Sequence, residues 1–412
     1  MRRLRLRIAL RAIALGLLGL YLFTFAVRNV TLQWDFKVYL LAARAAMAGL
    51  NPYDMNALAA IAGKPVAMPF VYPPIALVPF IAMTPLSPEV AAMCWMAVKC
   101  AVLVAMIIAW SRWIVPKAGV LAMALVAVFG WNASALADLR SGNVALIECA
   151  LLWAAFACFI AERRAAFASL IVAAAIFKMM PAAYLLLLLA PTTRHRPEPA
   201  RLMWAVAACV ALIAVPLVIG PGAGWEGFGA NIPSAHALGE SNPSAYALAA
   251  TLAGWCGVGG DALKPAATAI WLAYCMVLVA ASWQYLSESW RAKDARRLVV
   301  IAVVLDLLIA PRPMSYGFAR LGPAPLFLGL ALVPRPGWAL LIALIFAAQG
   351  LALSARHQFG VPLMTFSPLL LTLGLWLIVV LRRAGASGGE NPLERLRQQG
   401  SEADPREFPA RV

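Results

Sequence analysis

Asp35 lies between Trp34 and Phe36, just past the first long apolar block of the chain. A carboxylate there can take a proton from an attacking hydroxyl, which is the work of a general base. Partial burial against the flanking rings raises its pKa and makes it a better one; the bland alternative is a solvated loop acid. Lys178 interrupts an otherwise apolar run, IVAAAIFKMMPAAYLLLLLA. The proline that follows favours a broken hairpin whose ammonium faces a cavity and can hold a phosphate, while a lysine snorkelling to the headgroups is the competing reading. Arg312 stands between Pro311 and Pro313 at the end of another apolar block. Its guanidinium can grip phosphate oxygens in pairs, or serve only as an interfacial anchor.

Asp138, Arg140, Glu148 and Asp306 are further charged residues at or within apolar blocks. Asp138 and Arg140 read as a local pair at a helix end. Glu148 and Asp306 are acids without an obvious partner in the sequence, and either can orient Lys178 or Arg312 or serve a proton path. Tyr39, Tyr53, Tyr72 and Tyr316, with Trp34 and Trp131, can stack on sugar rings or bond their hydroxyls, although aromatic residues are also common where membrane meets water.

The elements that must hold these residues are membrane helices. Apolar residues make up 63% of the chain and charged residues 13%, against roughly 25% charge in ordinary soluble domains. Blocks at 8–27, 89–110, 143–161, 201–220, 265–286, 337–353 and 361–381 are each long enough to cross a hydrocarbon core, and shorter ones lie at 70–86, 118–131, 165–190, 298–311 and 322–333. The expectation is an all-α polytopic membrane domain over 1–383 with about ten to twelve spans. A polar tail, 384–412, is expected to be disordered. The net charge of +16 argues for topology, not nucleic acid, because the basic residues cluster in short inter-helix segments, as cytoplasmic loops do. Both termini then fall on the cytoplasmic side, and one block between 70 and 142 has to be re-entrant. No Cys-x-x-Cys motif and only three histidines occur, so neither a zinc site nor a disulfide framework is indicated.

Two polar segments, 28–69 and 221–264, face the other side. In the first, 36–48 has the spacing of a helix lying along the interface, stopped by Asn51-Pro52-Tyr53-Asp54. Breaks at Tyr72-Pro73-Pro74, Ser141-Gly142-Asn143, Lys178 to Pro181 and Pro311-Arg312-Pro313 interrupt apolar chain. Irregular backbone at membrane depth is tolerated only against protein or a wet cavity, so these breaks imply one shared cavity.

The order of these features resembles glycosyltransferase family 87, a family of the GT-C superfamily. The matching residues are Asp35, Phe36, Val38 and Tyr39; Asn51, Pro52 and Tyr53; Tyr72, Pro73 and Pro74; Gly142 and Asn143; Lys178 and Pro181; Asn242 and Ser244; and Pro311, Arg312 and Tyr316. The resemblance runs from about residue 30 to 325. It implies a GT-C-like fold with interfacial helices in the outer loops and a periplasmic site in a bacterial-type inner membrane. It also implies a polyprenyl-phosphate sugar donor, mannose as the best-known sugar, a lipid or glycan acceptor, inversion, and Asp35 as the base. Lys178 and Arg312 would then bind the donor phosphate. Trp34, Tyr39, Asn51, Tyr53, Tyr72, Asn143, Asn242, Ser244 and Tyr316 would line the sugar and acceptor sites. No cofactor is expected beyond the lipid-linked donor; GT-C enzymes in general can use a divalent metal, which stays open here although the sequence shows no convincing carboxylate cluster for it. Gly142-Asn143 stands where the family often has Gly-Gln, and Asn242-Pro243-Ser244 where it often has Asn-Gln-Ser; no histidine accompanies Pro311-Arg312. The rival reading, a transporter or flippase, calls for an internal repeat between halves, and none is evident.

Overall fold

The computed structural model describes residues 2–219, 223–231, 242–333, 335–359 and 365–386. Among the described residues every regular element is helical. Four helices are long and apolar enough to cross a membrane: Ile8–Asn29, Pro88–Ile114, Pro116–Ser141 and Gly260–Arg291. Shorter apolar helices accompany them, among them Ala145–Ile160, Arg164–Ala175, Ala245–Trp255 and Ser367–Leu381. The outer faces remain apolar: Leu17 and Phe23 on the first helix, and Met276, Val277 and Trp283 on Gly260–Arg291, all point away from the protein. Apolar surface of that extent belongs against lipid. The chain is an all-α multi-pass membrane protein. The expected tail lies mostly outside the described residues, which end at 386.

Three features explain how the irregular segments arise. The block 70–86 forms only the short turns Pro74–Leu77 and Val78–Ile81. Its prolines at 73, 74 and 79 withhold amide donors, so no helix long enough to cross a membrane forms there. The 165–190 run is a hairpin, as its basic ends suggest. The helix Arg164–Ala175 stops before Lys178, and a 3₁₀ segment, Met180–Leu189, returns the chain. The buried Arg164 guanidinium closes the hairpin by donating to Leu187 O (2.9 Å) and Ala190 O (2.7 Å). The helix Gly119–Ser141 is kinked where Trp131, Asn132 and Ala133 take φ of 59°, 55° and 56°. Trp131 is thereby turned into the core against Phe346, ring centroids 4.7 Å apart. It is not available to stack on a sugar, because the kink commits it to packing.

The expected helix after the first span is Trp34–Met47. Its inner face, Phe36, Val38, Tyr39, Leu40, Ala42 and Ala43, joins a second, smaller core with Tyr53, Phe70, Tyr72, Phe80 and Trp95. Phe36 stacks on Trp95 (5.7 Å, 15°), and the buried Gln33 side chain donates to Val30 O (2.8 Å) and Ala92 O (2.9 Å). The start of the helix, and with it Asp35, is fixed to the helix Pro88–Ala109.

Candidate active site

Asp35 occupies the first turn of Trp34–Met47 and is half-buried. Its partner is 108 positions away: Asn143 Nδ2 donates to Asp35 Oδ2 at 2.7 Å. The same amide nitrogen lies 2.8 Å from Tyr72 Oη and 3.0 Å from Tyr39 Oη, and its two hydrogens serve two of these three oxygens at a time. The orientation of the amide is set from behind, since Asn143 Oδ1 accepts from Ala145 N at 3.1 Å, which leaves only the NH₂ end to face Asp35. Among the described residues Asp35 Oδ1 receives no hydrogen bond. One carboxylate oxygen is thus held and the other is open.

The step Gly142-Asn143 that aims this amide depends on glycine. Gly142 has φ +74°, and a Cβ there would stand 2.8 Å from Phe36 Cβ and 2.9 Å from Gln33 Cβ. Its carbonyl accepts from Trp95 Nε1 (2.9 Å) and its amide donates to Asp138 O (2.9 Å). Asp138 is fully buried and pairs with the equally buried Lys99 at 2.5 Å; Lys99 also donates to Asp138 O (2.6 Å), and Leu146 N donates to Asp138 Oδ2 (3.3 Å). The expected Asp138–Arg140 pair does not form, because two positions along a helix point the side chains in different directions. Arg140 is exposed and lies over the Trp34 ring at 5.9 Å.

Burial pushes the Asp35 carboxyl above the ordinary carboxylate range. The Asn143 bond opposes that shift, nearby Asp138 adds to it, and Lys99 and Lys178 act against it. A carboxylate whose proton affinity is raised, yet which keeps an open oxygen, is suited to accept a proton.

Tyr72 belongs both to this cluster and to an adjoining cavity of about 280 Å³, whose walls include Lys178, Arg312, Tyr316 and Arg320. Lys178 stands at the hairpin break, its ammonium 5.2 Å from the Tyr316 ring centre. Behind it, Glu148 Oε2 lies 3.2 Å from Lys178 Nζ, and Glu148 Oε1 lies 2.5 Å from an Arg320 nitrogen. Arg320 also reaches Asp306 Oδ2 at 3.4 Å, where Tyr184 Oη donates at 2.7 Å. Arg312 has no acidic partner among the described residues. Tyr72 joins the hydrogen-bonded cluster around Asp35 to the cationic wall.

The other expected site residues support it from further out. Asn51 Oδ1 accepts from Tyr53 N (2.9 Å), a local turn. Tyr53 donates to Tyr72 O (2.7 Å) and rests on Phe70 and Phe228. Asn242 Nδ2 donates to Pro311 O (3.2 Å), bracing the segment that carries Arg312. Ser244 caps Ala245–Trp255 by accepting from Ala247 N (3.0 Å). Asn51, Tyr53, Asn242 and Ser244 are not part of the cavity wall, and Trp34 is exposed. Sequence reasoning missed Lys99 and Arg320. Lys99 breaks the apolar run Met96 to Val104, and a charge inside a span is by default a candidate for function; Arg320 carried no such mark, lying in a short polar link. Among the described residues no group of three or more His, Cys, Asp or Glu stands close enough to hold a metal ion.

A family model described as glycosyltransferase family 87 matches residues 70–311, more than half of the chain. No curated protein and no solved structure matches.

Proposed function

From the premise that the chain belongs to glycosyltransferase family 87, we propose that it moves a hexose, mannose by the resemblance, from a polyprenyl-phosphate sugar to a hydroxyl of a lipid or glycan. The site opens at the periplasmic face of a bacterial-type inner membrane, with both termini cytoplasmic. The reaction is one displacement. Asp35 takes the proton of the acceptor hydroxyl as that oxygen attacks the anomeric carbon, and the bond from that carbon to the phosphate oxygen breaks. The electron pair leaves with the polyprenyl phosphate, and the anomeric configuration inverts. Lys178 and Arg312 meet the charge that grows on the departing phosphate, the kind of contribution that usually counts most. Tyr72 and Tyr316, at the junction of carboxylate and cavity, line the sugar's position.

The observation that carries this reading is a half-buried carboxylate held by Asn143 beside a cavity walled by Lys178 and Arg312. Sealed membrane vesicles of both orientations, supplied with labelled polyprenyl-phosphate mannose and membrane lipids, test it. Transfer is expected where the periplasmic face is exposed to donor, with a product of opposite anomeric configuration. Transfer that requires a nucleotide sugar, or that retains configuration, would refute it.

A further inference from the structure

Glu148, fully buried on Ala145–Ile160, joins two of the cations of the wall. One oxygen meets Lys178 at 3.2 Å and the other meets Arg320 at 2.5 Å, while Arg320 is held again by Asp306 at 3.4 Å. The Arg320 backbone is fixed as well, its carbonyl accepting from Trp153 Nε1 at 2.9 Å. Three cations, Lys178, Arg312 and Arg320, therefore line the cavity, and the fully buried Glu148 and the half-buried Asp306 stand behind two of them. A wall with all three charges uncompensated would favour the more highly charged ligand.

That matters because of how the charge on phosphate changes during the proposed reaction, on which this inference rests. The donor is a phosphodiester with one negative charge. The leaving polyprenyl phosphate is a monoester carrying nearly two near neutral pH. We propose that Glu148 is a positioning residue with two effects: it sets Lys178 and Arg320 as one clamp for the leaving phosphate, and, with Asp306, it limits the cavity's charge so that the product is released.

The full chain in detergent micelles tests this through binding, without turnover. The probes are farnesyl phosphate, a dianion, and its methyl ester, a monoanion. In Glu148→Gln the affinity for the dianion relative to the monoanion rises by about tenfold, the effect of one unit charge on another at roughly 12 Å and an effective dielectric constant near 20. The turnover number falls while the donor KM does not rise. Asp306→Asn, which removes a charge at the far end of the same chain of contacts, shifts the ratio in the same direction. Glu148→Asp, which keeps the charge, brings the ratio back toward wild type. An unchanged or lowered ratio in both neutralising variants would overturn the proposal. So would a parallel loss of both affinities that tracks the folding midpoint, the sign of a merely structural role. A wild-type chain that binds both probes but transfers no sugar would strike the reaction and not the role of Glu148, which the binding ratio still decides.

Discussion

Replacing Gly142 by alanine tests whether the turn that aims Asn143 is what builds the site. Two costs combine. The residue sits at φ +74°, a left-handed conformation that costs a residue with a Cβ about 1–2 kcal/mol. The new methyl would also stand 2.8 Å from Phe36 Cβ and 2.9 Å from Gln33 Cβ. Those are atoms close to the backbone of a pinned helix, so the clash is relieved only by moving that helix, an overpacking cost of about 1–3 kcal/mol. The sum is about 2–5 kcal/mol of stability, lost at the contact between Gly142 and the turn that carries Asp35. Separating these segments also lengthens the 2.7 Å bond between Asn143 and Asp35, and a misplacement near 1 Å costs up to about a hundredfold in rate. Thermal unfolding in micelles and sugar transfer in membranes measure the two effects. Gly254→Ala is the control, since Gly254 lies in a helix with no positive φ, and a methyl added there meets nothing within 4 Å; there the same change stabilises by about 0.4–1 kcal/mol. Wild-type stability and turnover in Gly142→Ala would mean that this turn does not build the site.

Asn143→Ala removes the bond that opposes burial at Asp35. The carboxyl then binds its proton more tightly, and because the base must be unprotonated, the acid limb of the rate profile moves to higher pH; a limb that stays put or moves lower contradicts this. Lys99→Met strands the buried Asp138 carboxylate and is expected to cost about 3–5 kcal/mol, much of it recovered when Asp138→Leu is added. No recovery in the double variant would mean that the pair is not the unit at work. Arg312→Met is expected to raise the donor KM by about ten- to a hundredfold, the worth of a hydrogen bond to a charged group, with the acceptor KM unmoved; an equal rise in both would take Arg312 off the phosphate.

Much of the site could be read from residue types and breaks. Asp35, Asn143 and Tyr72 meet in one cluster, and Tyr72, Lys178, Arg312 and Tyr316 line the adjoining cavity; each lies where an apolar run stops, and irregular backbone at membrane depth is tolerated only against protein or a wet cavity. What could not be read is pairing across the chain. Glu148 finds Arg320 172 positions away, and Tyr184 finds Asp306 122 positions away; no local spacing encodes either contact. The Asp138–Arg140 expectation failed for the same reason, since proximity in sequence outweighed the buried Lys99 on a neighbouring helix. Asn242 donates to Pro311 O and Ser244 caps Ala245–Trp255, contacts that their sequence positions alone did not indicate. The kink at 130–133, which turned Trp131 inward, arises in a run of mostly ordinary helix formers, with Gly130 its only breaker.

Asp35 as the base is tested by comparing turnover from a polyprenyl-phosphate sugar in the wild-type chain and in Asp35→Asn, which keeps the side chain's shape but removes the basic oxygen. Transfer is expected to fall by at least about a hundredfold, with donor binding and the folding midpoint held near wild type. Turnover in Asp35→Asn equal to that of the wild-type chain would contradict it.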